Sequence, residues 1–295
     1  MKILLRLWDR DNILWVVLFG ILLLMILPGW NSFPYPGNGQ PYSDYATTHY
    51  PYAKFLIDSI KQTGEIPLWS NQIYSGMPFF ANPQAGIWYP LYWIGYLFPL
   101  PLGFTVVSSV HLLIGLIGVR KLLERLEIIG LPALVSAAAF LLMPKLWAHF
   151  GGGHLTLFCG VVWLPWLLYL SQLAKRKWYW AWGQPGLILA LIFLVASQWV
   201  IYAGALWVAW VLLLGKETFW RRILTIPGQV VLSLLLSAPL LLPMLEFVGY
   251  SSRQNISLAD RLYLSLPWEN LMGLTLPTWN PGAEWVIYPG AGVLL

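Results

Sequence analysis

The chain has 295 residues, 58% of them hydrophobic and only 10% charged, with a mean hydropathy of +0.66. Charged residues make up about 25% of an average soluble domain, so this composition excludes an ordinary soluble globular protein and predicts an all-α, polytopic membrane helical bundle. The formal net charge of +5 does not call for nucleic acid, because Lys and Arg flanking the cytoplasmic ends of membrane spans give the same sign.

Two counts sharpen this. The 19 Trp and 15 Tyr favour the membrane–water interface and suit short loops at headgroup level. The one cysteine, Cys159, lies in an apolar run. It excludes an intrachain disulfide and a cysteine-based metal site, and it reads as a small packing residue.

At the N-terminus, Lys2, Arg6 and Arg10 precede an apolar run that exits through Pro28-Gly29-Trp30. No A-x-A-like cleavage site follows, which predicts an uncleaved first span with its N-terminus in the cytoplasm. Further apolar runs bring the set to about 13–29, 103–119, 130–147, 155–172, 185–200, 201–215 and 223–245. They predict about seven spans and the start of another, within a single transmembrane domain covering 1–295. On this count twelve of the 17 basic residues fall on the cytoplasmic side: Lys2, Arg6, Arg10, Arg120, Lys121, Arg125, Lys175, Arg176, Lys177, Lys216, Arg221 and Arg222. Lys54, Lys61, Lys145, Arg253 and Arg261 fall outside, a consistent positive-inside bias. The chain is therefore expected to be a multi-pass protein of the cell membrane.

Residues 30–102 form the first extracytoplasmic loop. It carries Asp44, which reads either as a solvated or helix-capping acid or as a carboxylate held at headgroup depth. The stretch TTHYPYAKFLIDSIKQTGEIP predicts a short helix capped by Thr47 or Thr48, with Pro51 in its first turn and Gly64 at its end. Tyr52, Phe55, Leu56 and Ile60 make one apolar stripe, and Lys54, Asp58 and Lys61 take the other side. Such a helix is expected to lie on the membrane surface with its stripe in the headgroup boundary. Lys54 and Asp58 read as a surface ion pair, Glu65 as a solvated turn residue, and His49 as a neighbour of the cap rather than a ligand. The segment Ile87 to Pro99 is apolar but reaches only about 20 Å as a helix, so it is expected to be interfacial or re-entrant rather than spanning.

Farther along, His111 lies within the second span and is expected to hydrogen-bond inside the bundle, though an intramembrane ionisable residue is a functional suspect by default. Lys145, His149 and His154 surround Gly151-Gly152-Gly153 at the outer end of spans three and four. Glycines admit close backbone approach, and turned backbone amides bind anions, so this group reads as a phosphate or diphosphate site or as an ordinary polar loop. The run 185–215 is broken by Ser197-Gln198-Trp199 and reads as one long tilted helix or, as the placing of Lys216 and Arg221-Arg222 inside favours, as two short helices meeting near Ser197-Gln198. Residues 246–285 form a second extracytoplasmic segment with Glu246, Arg253, Asp260 and Arg261. An Arg there suits phosphate because its fork gives paired charge-assisted bonds. Val286 to Leu295 begins an apolar run too short to span, so the chain is expected to be the N-terminal part of something longer.

Several motifs carry a resemblance. An Asp in the first outer loop and a surface helix are followed by GEIPLWS, GMPFFA and QAGIWYP; then come GGGHLTLFCGVVWLP at 151–165, LLPMLEFVGYSSR at 241–253, and the late LTLPTWN and YPGAGVLL. In this order they resemble the YfhO-type bacterial membrane proteins, which are similar to the GT-C superfamily of polyprenyl-phosphate-sugar-dependent glycosyltransferases. The resemblance covers about 30 to 295. It implies a GT-C-like fold and an enzyme that transfers a sugar from a polyprenyl-phosphate donor to an extracytoplasmic lipid, glycan or protein acceptor. It also implies a site at the outer membrane surface, with Asp44 in the catalytic position.

Glycosyl transfer of this kind needs a base for the acceptor hydroxyl and cations or donors for the departing phosphate. Asp44 is the candidate base. Arg253, His154 and Lys145 are the candidate donor-phosphate ligands, with His149, Glu246 and Asp260 as further candidates. Asp44 with Glu246 or Asp260 would also suit a divalent cation, since hard cations take oxygen ligands; metal dependence stays open. Two other readings compete: a transporter or flippase for lipid-linked glycans, which predicts paired charges and broken helices at mid-membrane, and a non-catalytic assembly factor.

Overall fold

The computed structural model describes residues 10–26, 43–73, 75–173, 178–214, 219–251, 257–262, 265–276 and 285–288. Among them the regular structure is helical, apart from one isolated antiparallel bridge between Ser70 and Met77. In chain order the helices are α1 (Arg10–Ile26), α2 (Tyr50–Thr63), the single turn α3 (Tyr92–Gly95), α4 (Leu100–Arg125), α5 (Leu131–Leu141), α6 (Pro144–Gly151), α7 (Leu155–Val161), α8 (Leu164–Ser171), α9 (Trp178–Val195), α10 (Val200–Leu214), α11 (Phe219–Gly249) and the short α12 (Leu258–Leu262).

Each apolar run of the sequence becomes a helix or a broken helix, because in a medium without water the backbone must satisfy its own polar groups locally. Leu100–Arg125, Leu131–Gly151 and Ile223–Gly249 are long and apolar enough to cross a membrane. Asn12–Ile26, Leu155–Ser171, Gly183–Val195 and Val200–Leu214 are apolar but shorter. Apolar side chains face outward along these helices: Val16, Leu24, Ile201, Leu213, Leu224 and Leu235 are all exposed, as expected for surfaces solvated by lipid. Prolines place the breaks. Pro144 opens α6 after the turn at Leu142-Met143, and Pro165 lies in the first turn of α8 after the turn at Val162-Trp163. Each lacks a backbone N–H, and each disfavours helical geometry in the residue before it. Pro227, Pro239 and Pro243 sit inside α11, which continues through them.

Helix α4 is the hub, packed against α1, α3, α5, α7 and α8, while α9 packs against α7, α8, α10 and α11. Close packing and polar ties join these helices. A Cβ at Gly103 would overlap the Gly95 carbonyl oxygen, so α3 and the start of α4 meet backbone to backbone. The Arg120 Nη2 group donates to Asn12 Oδ1 at 2.7 Å, and the guanidinium lies 5.3 Å over the Trp15 ring, fastening α1 to α4. Trp166 Nε1 donates to the Ile114 carbonyl and Trp207 Nε1 to Ser171 Oγ, both at 2.8 Å, tying α8 to α4 and α10 to α8.

A relay of hydrogen bonds lies deeper. The Val107 carbonyl can only accept, so His111 donates Nδ1–H to it at 2.6 Å; Tyr89 O–H donates to His111 Nε2 at 2.6 Å, and Trp163 Nε1–H donates to Tyr89 Oη at 2.7 Å. His111 and Tyr89 are fully buried. The expected hydrogen bonding of His111 within the bundle is thus met, through a tyrosine of the QAGIWYP stretch.

The run 185–215 is two helices, α9 and α10, separated at 196–199. The segment Ile87 to Pro99 is turns and the four-residue α3. Helix α2 ends as expected, with Gly64 at φ 75 donating its N–H to the Ile60 carbonyl, and Lys54 Nζ pairs with Asp58 Oδ2 at 2.7 Å. Glu65 is exposed beside that turn.

Two expectations for this helix are corrected. Its apolar stripe is packed against the protein itself: Tyr52 and Leu56 are buried against Met77, Phe79, Ala85 and Ile87, with Phe55 4.9 Å edge-on to Phe79. The Pro- and aromatic-rich segment after the helix folds back and covers the stripe, and edge-to-face ring contacts reward it for doing so. Nor do Thr47 and Thr48 cap the helix. A turn of π-helix at Tyr45–His49 runs directly into α2, and Thr47 Oγ1 donates to the Ser43 carbonyl at 3.2 Å.

Candidate functional site

The π-helical turn determines how Asp44 is presented. The Ser43 carbonyl accepts from Ala46 N–H at 3.0 Å and Thr47 N–H at 3.1 Å. Asp44 is helical (φ −59, ψ −20) and makes no side-chain capping bond. Its carboxylate, with 46% of the side chain exposed, is thereby turned away from the helix start it would otherwise cap.

The second half of the site comes from the junction of α6 and α7. His154 N–H donates to the His149 carbonyl at 2.9 Å, closing the end of α6. Gly153 follows at φ +87, a conformation side-chain-bearing residues rarely adopt. A Cβ there would lie 2.7 Å from Asp44 N, 2.8 Å from Tyr45 N and 2.9 Å from Ser43 Oγ. Only glycine lets the two backbones meet so closely, and Asp44 N–H donates to the Gly152 carbonyl at 3.2 Å across the contact.

This contact brings the side chains together. His154 Nε2 lies 3.5 Å from Asp44 Oδ2. The other ring nitrogen of His154, Nδ1, is 2.6 Å from His149 Nδ1, with the ring centroids 4.9 Å apart. Lys145 stands one helical turn before His149 on α6, where its charge acts on that ring. His49 lies beneath, buried and 5.5 Å edge-on to Tyr45. Burial, and next the nearby His154, push its pKa down to about 4, so it is a neutral imidazole at physiological pH.

Of the residues singled out in the sequence, Asp44, Lys145, His149 and His154 therefore belong to one cluster, and His49 is a buried neighbour. Glu246 and Asp260 sit on other helices. Glu246 is exposed near the end of α11. Asp260 accepts a hydrogen bond from Ser257 Oγ at 2.6 Å, a local cap of its own short helix. Arg253 lies outside the described residues, as does the side chain of Arg261. Among the described residues no three His, Cys, Asp or Glu side chains are grouped to hold a metal ion.

Chemically, the cluster offers a half-exposed carboxylate, two imidazoles in hydrogen-bond contact and a lysine cation. Such a set accepts a hydroxyl proton and attracts an anion. Sequence reasoning missed the contributions of Ser43 and Tyr45, whose backbones support the contact. The glycine triplet was the available signal. It announced a close approach without saying to what. No protein-family model matches the chain, and comparison with curated proteins and with solved structures returned no match.

Proposed function

We propose that the protein is a GT-C-like glycosyltransferase of the cell membrane, transferring a sugar from a polyprenyl-phosphate donor to an extracytoplasmic acceptor. One observation carries this reading: Asp44 of the first outer loop lies 3.5 Å from His154 of the glycine-triplet loop, 110 positions away in the chain. The resemblance to YfhO-type proteins singles out the same aspartate, and the cluster around it has the groups that sugar transfer from a lipid phosphate requires. In this reading Asp44 serves the acceptor hydroxyl as general base or as its positioner, and Lys145 faces the donor phosphate, with Arg253 as a further ligand. The reading also has about seven spans, a cytoplasmic N-terminus, and both halves of the cluster outside, in keeping with the basic-residue bias of the sequence.

The test is a transfer assay with the purified full-length protein, a panel of polyprenyl-phosphate sugars, and detection of released carrier phosphate. Asp44→Asn is expected to lower transfer roughly 10²–10⁴-fold, the usual scale for loss of a general base, with donor binding little changed. Arg253→Ala is expected to weaken donor binding as well as turnover, since a phosphate ligand acts on ground and transition states alike. Full transfer by a correctly folded Asp44→Asn protein overturns the assignment and favours the transporter reading. Labelling of Gly152→Cys by a membrane-impermeant reagent in intact cells checks the topology; protection there, relieved by lysis, overturns the span count.

A further inference from the structure

The two nitrogens of His154 are both engaged, one toward Asp44 Oδ2 at 3.5 Å and the other with His149 Nδ1 at 2.6 Å. Two imidazoles that meet nitrogen to nitrogen share a single proton across the contact, so one donates and the other accepts. The carboxylate decides which. It only accepts, so it favours N–H at His154 Nε2; His154 Nδ1 is then an acceptor, and the shared proton sits on His149 Nδ1. The lone pair of the unit is thereby moved to His149 Nε2, on a partly exposed ring at the end of α6. This is the logic by which a carboxylate holds one imidazole in a working tautomer, extended here by a second imidazole.

We infer that Asp44, His154 and His149 act as one electrostatically linked unit whose working base is Nε2 of His149, with Asp44 and His154 as positioning residues. The inference rests on the glycosyl-transfer reading for its substrate, while its proton arrangement stands on the geometry alone. In the transfer step the acceptor oxygen bonds to the anomeric carbon of the sugar. The bond from that carbon to the carrier phosphate oxygen breaks, and its electron pair leaves with the phosphate. The acceptor proton moves to His149 Nε2, and the positive charge is held on the paired imidazoles and stabilised by the Asp44 carboxylate, which does not take the proton. Lys145, one turn away on α6, is kept for the departing phosphate.

The tautomers are read directly. The chain has four histidines, so ¹⁵N-histidine labelling of the full-length protein in lipid nanodiscs gives a small set of imidazole signals, assigned with His149→Gln and His154→Gln. Protonation of His154 at Nε2 and of His149 at Nδ1 is expected, with mixed tautomers at His154 in Asp44→Ala. Protonation of His149 at Nε2, or a His154 unaffected by Asp44→Ala, overturns the inference. In the transfer assay, Asp44→Asn and His149→Gln are each expected to lower kcat on the order of 10²-fold or more, and the double variant to be no worse than the poorer single, as for residues that act as a unit. Losses that multiply, or a His149→Gln protein with raised donor KM and unchanged kcat, overturn the inference in favour of independent roles. Absence of carrier-phosphate release from every donor, with the expected tautomers in place, overturns the glycosyl-transfer reading and supports the proton arrangement of the unit.

Discussion

Replacing Gly153 by alanine tests the contact on which the site depends. The new Cβ would sit 2.7 Å from Asp44 N, 2.8 Å from Tyr45 N and 2.9 Å from Ser43 Oγ, at a φ of +87. Two of those three atoms are backbone, held by the π-helical turn, and have no rotamer through which to yield. Reaching 3.4 Å, where ordinary contact begins, requires Asp44 N to move about 0.7 Å. Left-handed strain at a non-glycine residue costs roughly 1–2 kcal/mol, and loss of the Asp44 N–H bond to Gly152 adds about 1 kcal/mol. The sum, about 2–3 kcal/mol, corresponds to a fall in Tm on the order of 5 °C or more for a domain of this size. The same shift displaces Asp44 from its 3.5 Å contact with His154, and on the proposed glycosyl-transfer reading misplacement on the scale of 1 Å costs about 10²-fold in rate. Gly151→Ala is the control: nothing lies within 4 Å of its Cβ, so its stability should stay within about 0.5 kcal/mol of wild type. Thermal unfolding in nanodiscs and carrier-phosphate release measure both variants. A Gly153→Ala protein as stable and active as wild type, or equal losses in both variants, refutes the reasoning.

Tyr89→Phe removes the middle of the buried relay and leaves His111 Nε2 and Trp163 Nε1 without their partner hydroxyl; each orphaned group costs about 1–3 kcal/mol, so unfolding measurements should show a loss of at least 2 kcal/mol, and a neutral effect would show that the groups find other partners. His49 gives a pH dependence: its folded pKa of about 4 lies below the ordinary 6.5, so the unfolded chain binds a proton that the folded one refuses. Stability should therefore fall as pH drops from about 6.5 to 4 and level off below, by roughly 3 kcal/mol in all. His49→Gln should abolish this component of the pH profile, and an unchanged profile in that variant would assign the dependence elsewhere. Asp58→Asn breaks an i,i+4 pair that is half-exposed on both sides and should leave the unfolding midpoint close to that of wild type; a clear loss would mean that Asp58 has a partner besides Lys54.

The helices themselves were legible along the chain, because the cost of unsatisfied backbone groups in an apolar medium acts within each segment. The break of 185–215 at 196–199, the end of α2 at Gly64 and the Lys54–Asp58 pair are likewise local events, decided by residues within a turn of one another. The composition of Asp44's loop and the glycine triplet marked both halves of the site without joining them. Joining was a tertiary decision. It took the junction of α6 and α7 lying against residues 43–45, and a left-handed glycine thin enough to let them rest on it. The stripe of α2 shows the same division: its apolar face was readable, but whether lipid or Phe79 covers it depends on how the next thirty residues fold back. The relay through Trp163, Tyr89 and His111 also spans separate segments. A side chain's type and periodicity say what kind of partner it needs, whereas the packing register of helices distant in sequence determines which partner comes within 3 Å.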